Sequence, residues 1–461
     1  MKAVPSGPPG RRPRRWSAVL APALLGAALL LVLLVSQADR IRAAGEAYVY
    51  GLPLLMVDLT REQAALGTGP ENRLLRVRRF PDASFKGVVR PNVDTLYTTA
   101  FIDMALGPWV FEMPANDQRY EVMAFMDAWT NVFAAPGTRV SGTGGGRYLL
   151  AGPTWQGVVP EGLQLLRSPT RIVWLIGRTQ TLGAADYPVV HRLQDGLTLR
   201  RLSESPSTEP SWQRGREPAL PPWQQLRAME TVALFNRLAA LMRDNPPAAV
   251  DAPMLARLAV LGVVPGQPLR WGPLDRACAA LGRWVADYQL ARALAQPRAA
   301  VGGWVTPPAN LGQYGEDYAT RAAVAIVGLG ANLPADAIYP QARVDAQGAA
   351  LHGSHRYRLH FKAGGLPPVR AFWSVTVYGA DDFLIDNPLQ RHALGDRDPL
   401  RFNADGSLDL WIQAESPGAE RQANWLPVRA GAPFVLNARL YWPKPEALSG
   451  AWQMPAVERL D

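Results

Sequence analysis

The sequence predicts a mainly β protein: two β units separated by a helical middle segment and preceded by an apolar helix. Three observations carry this. Short aromatic and β-branched runs bounded by Gly, Pro, Asn or Asp recur across 45–200 and again across 335–457. Between them, residues 223–334 switch to apolar spacings of three and four, the period of an amphipathic helix. Ahead of both, residues 18–35 run without a charge, directly after Arg11, Arg12, Arg14 and Arg15. A chain of 461 residues has room for about three folding units.

Residues 1–17 form a basic segment, and 18–38 read as a signal anchor or a signal peptide. The uncharged run of 18 residues exceeds the ~7–15 of a secretory h-region and approaches the ~20 that span a bilayer. That length favours an uncleaved transmembrane helix over cleavage after Ser36-Gln37-Ala38. The positive-inside rule keeps the first residues in the cytoplasm. The expected location is therefore the inner membrane, single-pass, with the bulk of the chain in the periplasm or outside, and secreted if the signal is cut. A helical stretch follows, carrying Ala43, Ala44, Ala47, Tyr48 and Leu52 and ending at Gly51-Leu52-Pro53.

In the first β unit, 45–200, the runs 109–113 (WVFEM), 120–125 (YEVMAF), 148–151 and 171–176 (RIVWLI) read as strands of a sandwich or barrel. Residues 201–222 carry Pro206, Pro210, Pro218, Pro221 and Pro222, a linker composition. Helices are expected at 223–244, 274–294 and 318–329, the last stopping at Gly330. In the second β unit, 335–457, strands are expected at 356–361, 371–378, 408–412 and 434–442. The two units also echo each other: 119–136 resembles 370–388, and 167–178 resembles 429–439. A duplicated β fold and the ordinary likeness of aromatic strands both account for this.

The formal charge of +9 falls to +4 once the five basic residues among the first 15 are set aside. No dense basic run with interleaved aromatics remains, so nucleic acid is excluded as a partner. A lone Cys278 excludes an intramolecular disulfide and a thiolate-rich zinc site. No G-x-S-x-G occurs, and 142–147 lacks both a dinucleotide fingerprint and a P-loop ending. His352 and His355 sit in a Gly-Ser turn where their spacing puts them on no common helix face, so neither metal nor cofactor is expected.

The polar residues concentrate elsewhere. Arg90, Asn92, Asp94 and Tyr97 fall within eight residues, while Asp127, Trp129 and Asn131 follow a strand, with Arg139 close behind. If folding brings Asp94 and Asp127 into one cleft, the pair can act as general acid and base. Arg90, Arg139 or Arg178 would then hold an anionic group. The competing account is that Asp and Asn close turns and Arg neutralises them. The chain's 15 Trp suit an aromatic-lined cleft for sugars or apolar small molecules. The candidate catalytic residues are thus Asp94 and Asp127, and the candidate ligand contacts are Arg90, Asn92, Tyr97, Trp129, Asn131, Arg139 and Arg178.

Longer motifs carry a resemblance. The segments AYVYGLPL (47–54), RPNVDTLYTTAF (90–101), DAWTNVFAAPGTRVSGTGGG (127–146) and RSPTRIVWLIGRTQ (167–180) resemble the bacterial domain of unknown function numbered twelve fifty-four. GLGANLPADAIYP (328–340), AFWSVTVY (371–378), FLIDNPLQRHALGDR (383–397), DGSLDLWIQ (405–413), SPGAERQANWLP (416–427) and RLYWPKPE (439–446) resemble its usual C-terminal partner, numbered twelve fourteen. The resemblance implies two jelly-roll-like β-sandwich domains with a helical connection, commonly exported, and no general reaction. The expected function is that of a cell-envelope protein binding a small molecule or carbohydrate, with a hydrolase using paired carboxylates as the alternative. Its expected partners are a membrane, through the N-terminal helix, and a small-molecule ligand, with homo-oligomerisation left open.

Overall fold

The computed structural model describes Leu24, Ala28, Val32 and residues 34–67, 71–87, 89–203, 220–296 and 300–461. The segment 1–17, most of the apolar run and most of the stretch 201–222 lie outside these residues. Among the described residues, no helix is long and apolar enough to cross a membrane.

Helix α1 (Ala38–Gly67) runs straight through Pro53, where the sequence predicts its end. Proline withdraws a backbone donor and crowds the preceding turn, at a cost of about 3 kcal/mol. Ala44, Ala47, Tyr48, Tyr50, Leu52, Leu54 and Leu55 are all buried around it. Each large side chain contributes about 1.5–3 kcal/mol on burial, which outweighs that loss.

The N-terminal β unit comprises β1 (Leu75–Arg76), β2 (Thr95–Asp103), β3 (Trp109–Met113), β4 (Glu121–Asp127), β5 (Val132–Ala134), β6 (Gly146–Ala151), β7 (Gln164–Arg167), β8 (Ile172–Gln180), α2 (Tyr187–Gly196) and β9 (Thr198–Arg201). The helical layer adds α3 (Pro222–Ala228), α4 (Thr231–Asp244), α5 (Ala252–Ala259), α6 (Pro273–Ala295) and α7 (Tyr318–Val327). The single helix predicted over 223–244 is divided, because Glu230 turns out of it and caps α4 by accepting from the Ala233 N–H. The C-terminal unit comprises β10 (Trp304–Val305), β11 (Ala337–Ile338), β12 (Gln341–Ala342), β13 (Tyr357–Phe361), β14 (Val369–Gly379), β15 (Ala393–Gly395), β16 (Leu408–Gln413), β17 (Trp425–Pro427), β18 (Phe434–Pro443), α8 (Pro445–Ser449) and β19 (Val457–Arg459).

Each β unit is a pair of sheets sharing one core. In the first, Ile102, Phe125 and Leu175 of one sheet meet Trp109, Phe111 and Tyr148 of the other. In the second, Trp373, Val375 and Leu436 meet Leu359, Phe361 and Leu410. Alternation along each strand sends the intervening side chains to the opposite face.

The two units follow one plan. The sheet orders are β1-β2-β8-β4-β5 and β7-β6-β3-β9 in the first, β10-β12-β18-β14-β15 and β17-β16-β13-β19 in the second, with β11 also on β18. Replacing β1 by β10, β2 by β11 with β12, and β3–β9 by β13–β19 converts one into the other. Even the parallel pairs β6–β7 and β16–β17 correspond. Register repeats too. Arg178 lies opposite Tyr97 and Val122. Arg439 lies opposite Ser374, and the pairs Ile338–Leu440 and Gln341–Asn437 bring Tyr339 to the same place beside it. Gly137 and Gly395 are equivalent: a Cβ would stand 2.3 Å from the Glu121 carbonyl oxygen in one and 2.1 Å from that of Trp373 in the other. Only glycine admits so close a strand.

The outer faces of β4 and β8 pack against those of β14 and β18, forming a seam of Tyr120, Val122, Ala124, Met126 and Ile176 with Phe372 and Tyr441. The helical layer wraps α1 and reaches the first unit through Ala128 and Trp129.

Candidate ligand site at the seam between the β units

Asp94 immediately precedes β2 and is fully buried. Asn92 holds it there, its side-chain oxygen accepting from the N–H groups of Asp94 (2.7 Å) and Thr95 (3.1 Å). This is the turn chemistry the sequence offers as the alternative to catalysis. The Asp94 carboxylate accepts from Ser374 Oγ at 2.7 Å and pairs with Arg397, both from the other unit.

The equivalent contact runs the other way. Arg139 of the first unit clamps buried Asp336 of the second through Nε (2.6 Å) and Nη2 (2.9 Å). A second reciprocal pair uses backbone. Arg178 donates to the Gly330 carbonyl at 2.9 Å, and Arg439 donates to that of Arg90 at 3.1 Å. Four arginines thus cross the seam in two mirrored pairs, the self-complementary pattern of a twofold interface realised within one chain.

The charges do not balance. Arg397 and Arg139 end on carboxylates. Arg178 ends on Gly330, Asn332, Ile176 and the Tyr97 hydroxyl. Arg439 ends on Thr376, Tyr378 and Arg90, with Asp94 at 4.0 Å. Both are buried, so among the described residues two guanidinium groups sit at the seam with no carboxylate in hydrogen-bond reach, a costly arrangement in a medium of low polarity.

Tyr97 sits at the edge of this field. It is partly exposed, as are Trp174 and Tyr339 beside it, and its hydroxyl accepts from Arg178 Nε at 3.3 Å and Asn92 Nδ2 at 3.4 Å. Burial acts to raise the phenol, but Arg178, Asn92 and Arg439 together bring it below its ordinary value. Tyr339, its equivalent in the second unit, is pushed up to about 12 by burial. The repeat is therefore chemically asymmetric at its centre.

The structure does not bring Asp94 and Asp127 together. Asp94 adjoins Thr95, paired with Gln180, whereas Asp127 pairs with Val173 at the far end of the same strand. Seven residues of strand separate those ends by roughly 23 Å, which corrects the expectation of a shared cleft. Asp127 closes a turn instead, accepting from the N–H groups of Trp129 and Asn131 at 2.8 Å each and from the Asn131 side chain at 3.0 Å. Burial raises it to about 6. Trp129 packs against Tyr50, ring centroids 4.8 Å apart and planes tilted by 41°, and donates to the Asn245 carbonyl, fastening the helical layer. Of the nine sequence-derived candidates, Asn92, Asp94, Tyr97, Arg139 and Arg178 meet at the seam; Arg90 joins them through its backbone carbonyl while its side chain donates to the Val327 carbonyl at 2.7 Å; Asp127, Trp129 and Asn131 lie elsewhere. The seam residues the sequence reading missed are Arg397, Arg439, Asn332, Asp336 and Tyr339. Their signal is the repeat itself: Asp94-x-x-Tyr97 recurs as Asp336-x-x-Tyr339, and Gly137-Thr138-Arg139 as Gly395-Asp396-Arg397.

Two twinned β units joined by a helical layer define a tandem-domain protein. Residues 71–201 match the family described as Protein of unknown function (DUF1254), and residues 336–445 match Protein of unknown function (DUF1214). The chain belongs to the proteins that carry these two domains in tandem. Among solved structures it is similar to the VPA0106 protein from Vibrio parahaemolyticus, at 26% identity over 92% of this chain and 100% of that one, with a TM-score of 0.71. It is also similar to a putative uncharacterized protein from Burkholderia cenocepacia, at 14% identity over 93% and 96% of the two chains, with a TM-score of 0.46. No curated protein matches.

Proposed function

We propose that this chain is a cell-envelope protein that binds a small molecule or carbohydrate bearing an anionic group, in the seam beside Tyr97. The observation that carries this reading is the pairing of the two buried guanidinium groups: Arg178 ends on neutral acceptors, Arg439 reaches a carboxylate only at 4.0 Å from Asp94, and an anion at Tyr97 would complete their field. Trp174, Tyr339 and the Tyr97 ring supply apolar walls for the remainder of the ligand. The paired sheets support the jelly-roll-like class of the two units, and the uncharged run 18–35 supports anchoring in the inner membrane. The hydrolase reading on paired carboxylates loses its support with the separation of Asp94 from Asp127.

The test is a thermal-shift screen of small carboxylates, phosphorylated compounds and acidic sugars against the wild type and Tyr97→Phe. A binding ligand raises the wild-type Tm, by about 2.7 kcal/mol of stability at a hundredfold excess over Kd, and loses most of that effect in the variant. Ligands that stabilise both proteins equally would contradict the site.

A further inference from the structure

The described end of the apolar run is bare. Val32 is 66% exposed and Val35 68% exposed, and no described part of the chain covers them. Leu34–Ser36 are helical and lead within two residues into α1, whose buried flank begins at Ala43. The helical residues 34–36 and α1 are thus nearly continuous, and with 18–35 read as a span, the start of α1 is the level at which the chain would leave a bilayer.

Two other elements end at that level. Helix α6 lies beside α1 in the same direction: Arg40 pairs with Asp275 at 2.9 Å, Gly45 faces the Gly282 carbonyl, and Tyr48 donates to Asp287 at 3.2 Å. Helix α5 runs oppositely, with Tyr50 on Asp251 at its start and Glu46 on Arg257 near its end. The start of α6, the end of α5 and their connecting loop therefore gather around the start of α1. Trp271 stitches this loop together by donating to the Leu261 carbonyl.

The surface so formed is mixed. Val260 is 61% exposed and Leu274 41% exposed, and Arg270 and Arg276 are exposed beside Leu274. Apolar tips flanked by arginines suit the boundary between headgroups and acyl chains, where the tips insert and the guanidinium groups meet phosphate. By contrast, the first β unit packs against the other half of α1, around Leu54 and Val57, remote from this level.

We propose that the end of the helical layer formed by residues 260–276 rests on the lipid surface, with Val260 and Leu274 in the headgroup layer and Arg270 and Arg276 on anionic headgroups. The contact rests on the reading of residues 18–35 as a membrane span. It would fix the tilt of α1 and hold the seam at a set height above the bilayer.

The test uses the full chain reconstituted in vesicles of phosphatidylethanolamine and phosphatidylglycerol. In a Cys278→Ser background, an environment-sensitive fluorophore is placed at Leu274→Cys, and at Val158→Cys in the first β unit as the reference. Both native side chains are exposed, so folding is preserved. The expected result is a blue shift and loss of most emission at position 274 when the lipids carry a shallow spin label, with position 158 unchanged. Arg270→Glu with Arg276→Glu should return emission at position 274 toward the reference. Flotation with the vesicles after a carbonate wash, with equal quenching at both positions, overturns the contact and leaves the span standing. Failure to float overturns the span, and the contact with it.

Discussion

Asp94→Asn replaces a carboxylate by an amide of the same shape at the centre of the seam. The native carboxylate is fully buried and receives Arg397, whose side chain is only 15% exposed, together with Ser374 and, at longer range, Arg439. Neutralising it removes the carboxylate to which Arg397 is hydrogen-bonded, leaving it the Asp94 and Thr181 carbonyls. Removing one member of a buried ion pair costs about 3–5 kcal/mol. For unfolding units of about 150–250 residues, each kcal/mol moves the midpoint by about 2–4 °C, so Tm should fall by about 6–20 °C. The mirrored change, Asp336→Asn, isolates Arg139, but that side chain is 24% exposed, so water can replace part of the lost contact and the cost drops to about 1–3 kcal/mol. Calorimetry on the two variants measures the difference. Equal losses, or a loss at Asp94 below about 1 kcal/mol, would refute the claim that the seam charge is poorly hydrated.

Three further outcomes follow from particular residues. Burial raises Glu121 to about 7 from 4.5, so its proton is kept on folding and released on unfolding. The associated stability is complete below about pH 4.5 and is lost as pH rises through about 7, by about 3 kcal/mol in total; Glu121→Gln should flatten that slope in urea unfolding at pH 5 and 7. Gly282→Ala places a Cβ 2.2 Å from the Ile41 carbonyl oxygen, forcing α6 off α1 at a cost of about 1–3 kcal/mol, read from the denaturant midpoint. Tyr97→Phe should reduce stability by no more than about 1–2 kcal/mol while removing the ligand response, because Arg178 keeps three other acceptors.

Much of the architecture is written locally. Runs such as WVFEM and FVLNARLYW declare themselves because their apolar and β-branched residues meet a pleated surface, and they are strands β3 and β18. Strand β2 escaped the sequence reading because its first residues share a polar run with Asn92 and Asp94, and Asn92 acts through backbone turns that composition does not reveal. Pro53 misled for a different reason: its cost is local, and what outweighs it is burial by helices more than 150 residues away in sequence. The seam is the least legible part. Asp94 with Arg397 and Arg139 with Asp336 are set by the docking of two sheets, and no spacing rule links them. The likeness of 167–178 to 429–439 already contained the key, since it superposes Arg178 on Arg439. Thr130 shows how the repeat also removes false leads. Its positive φ of 70° would ordinarily suggest a strained functional residue, yet Asp382 occupies the equivalent turn with φ 61°, so the conformation belongs to the hairpin plan.

The proposed anion site depends on the field that Arg178 and Arg439 exert on Tyr97. Ultraviolet difference titration at the phenolate band, comparing the wild type with Tyr97→Phe, measures that field directly. One phenol that ionises below the ordinary tyrosine value of 10.0, present in the wild type and missing from the variant, is the predicted result. Titration curves that coincide up to that value would mean that Arg178 and Arg439 exert no such field, and the proposed anion site would fall with it.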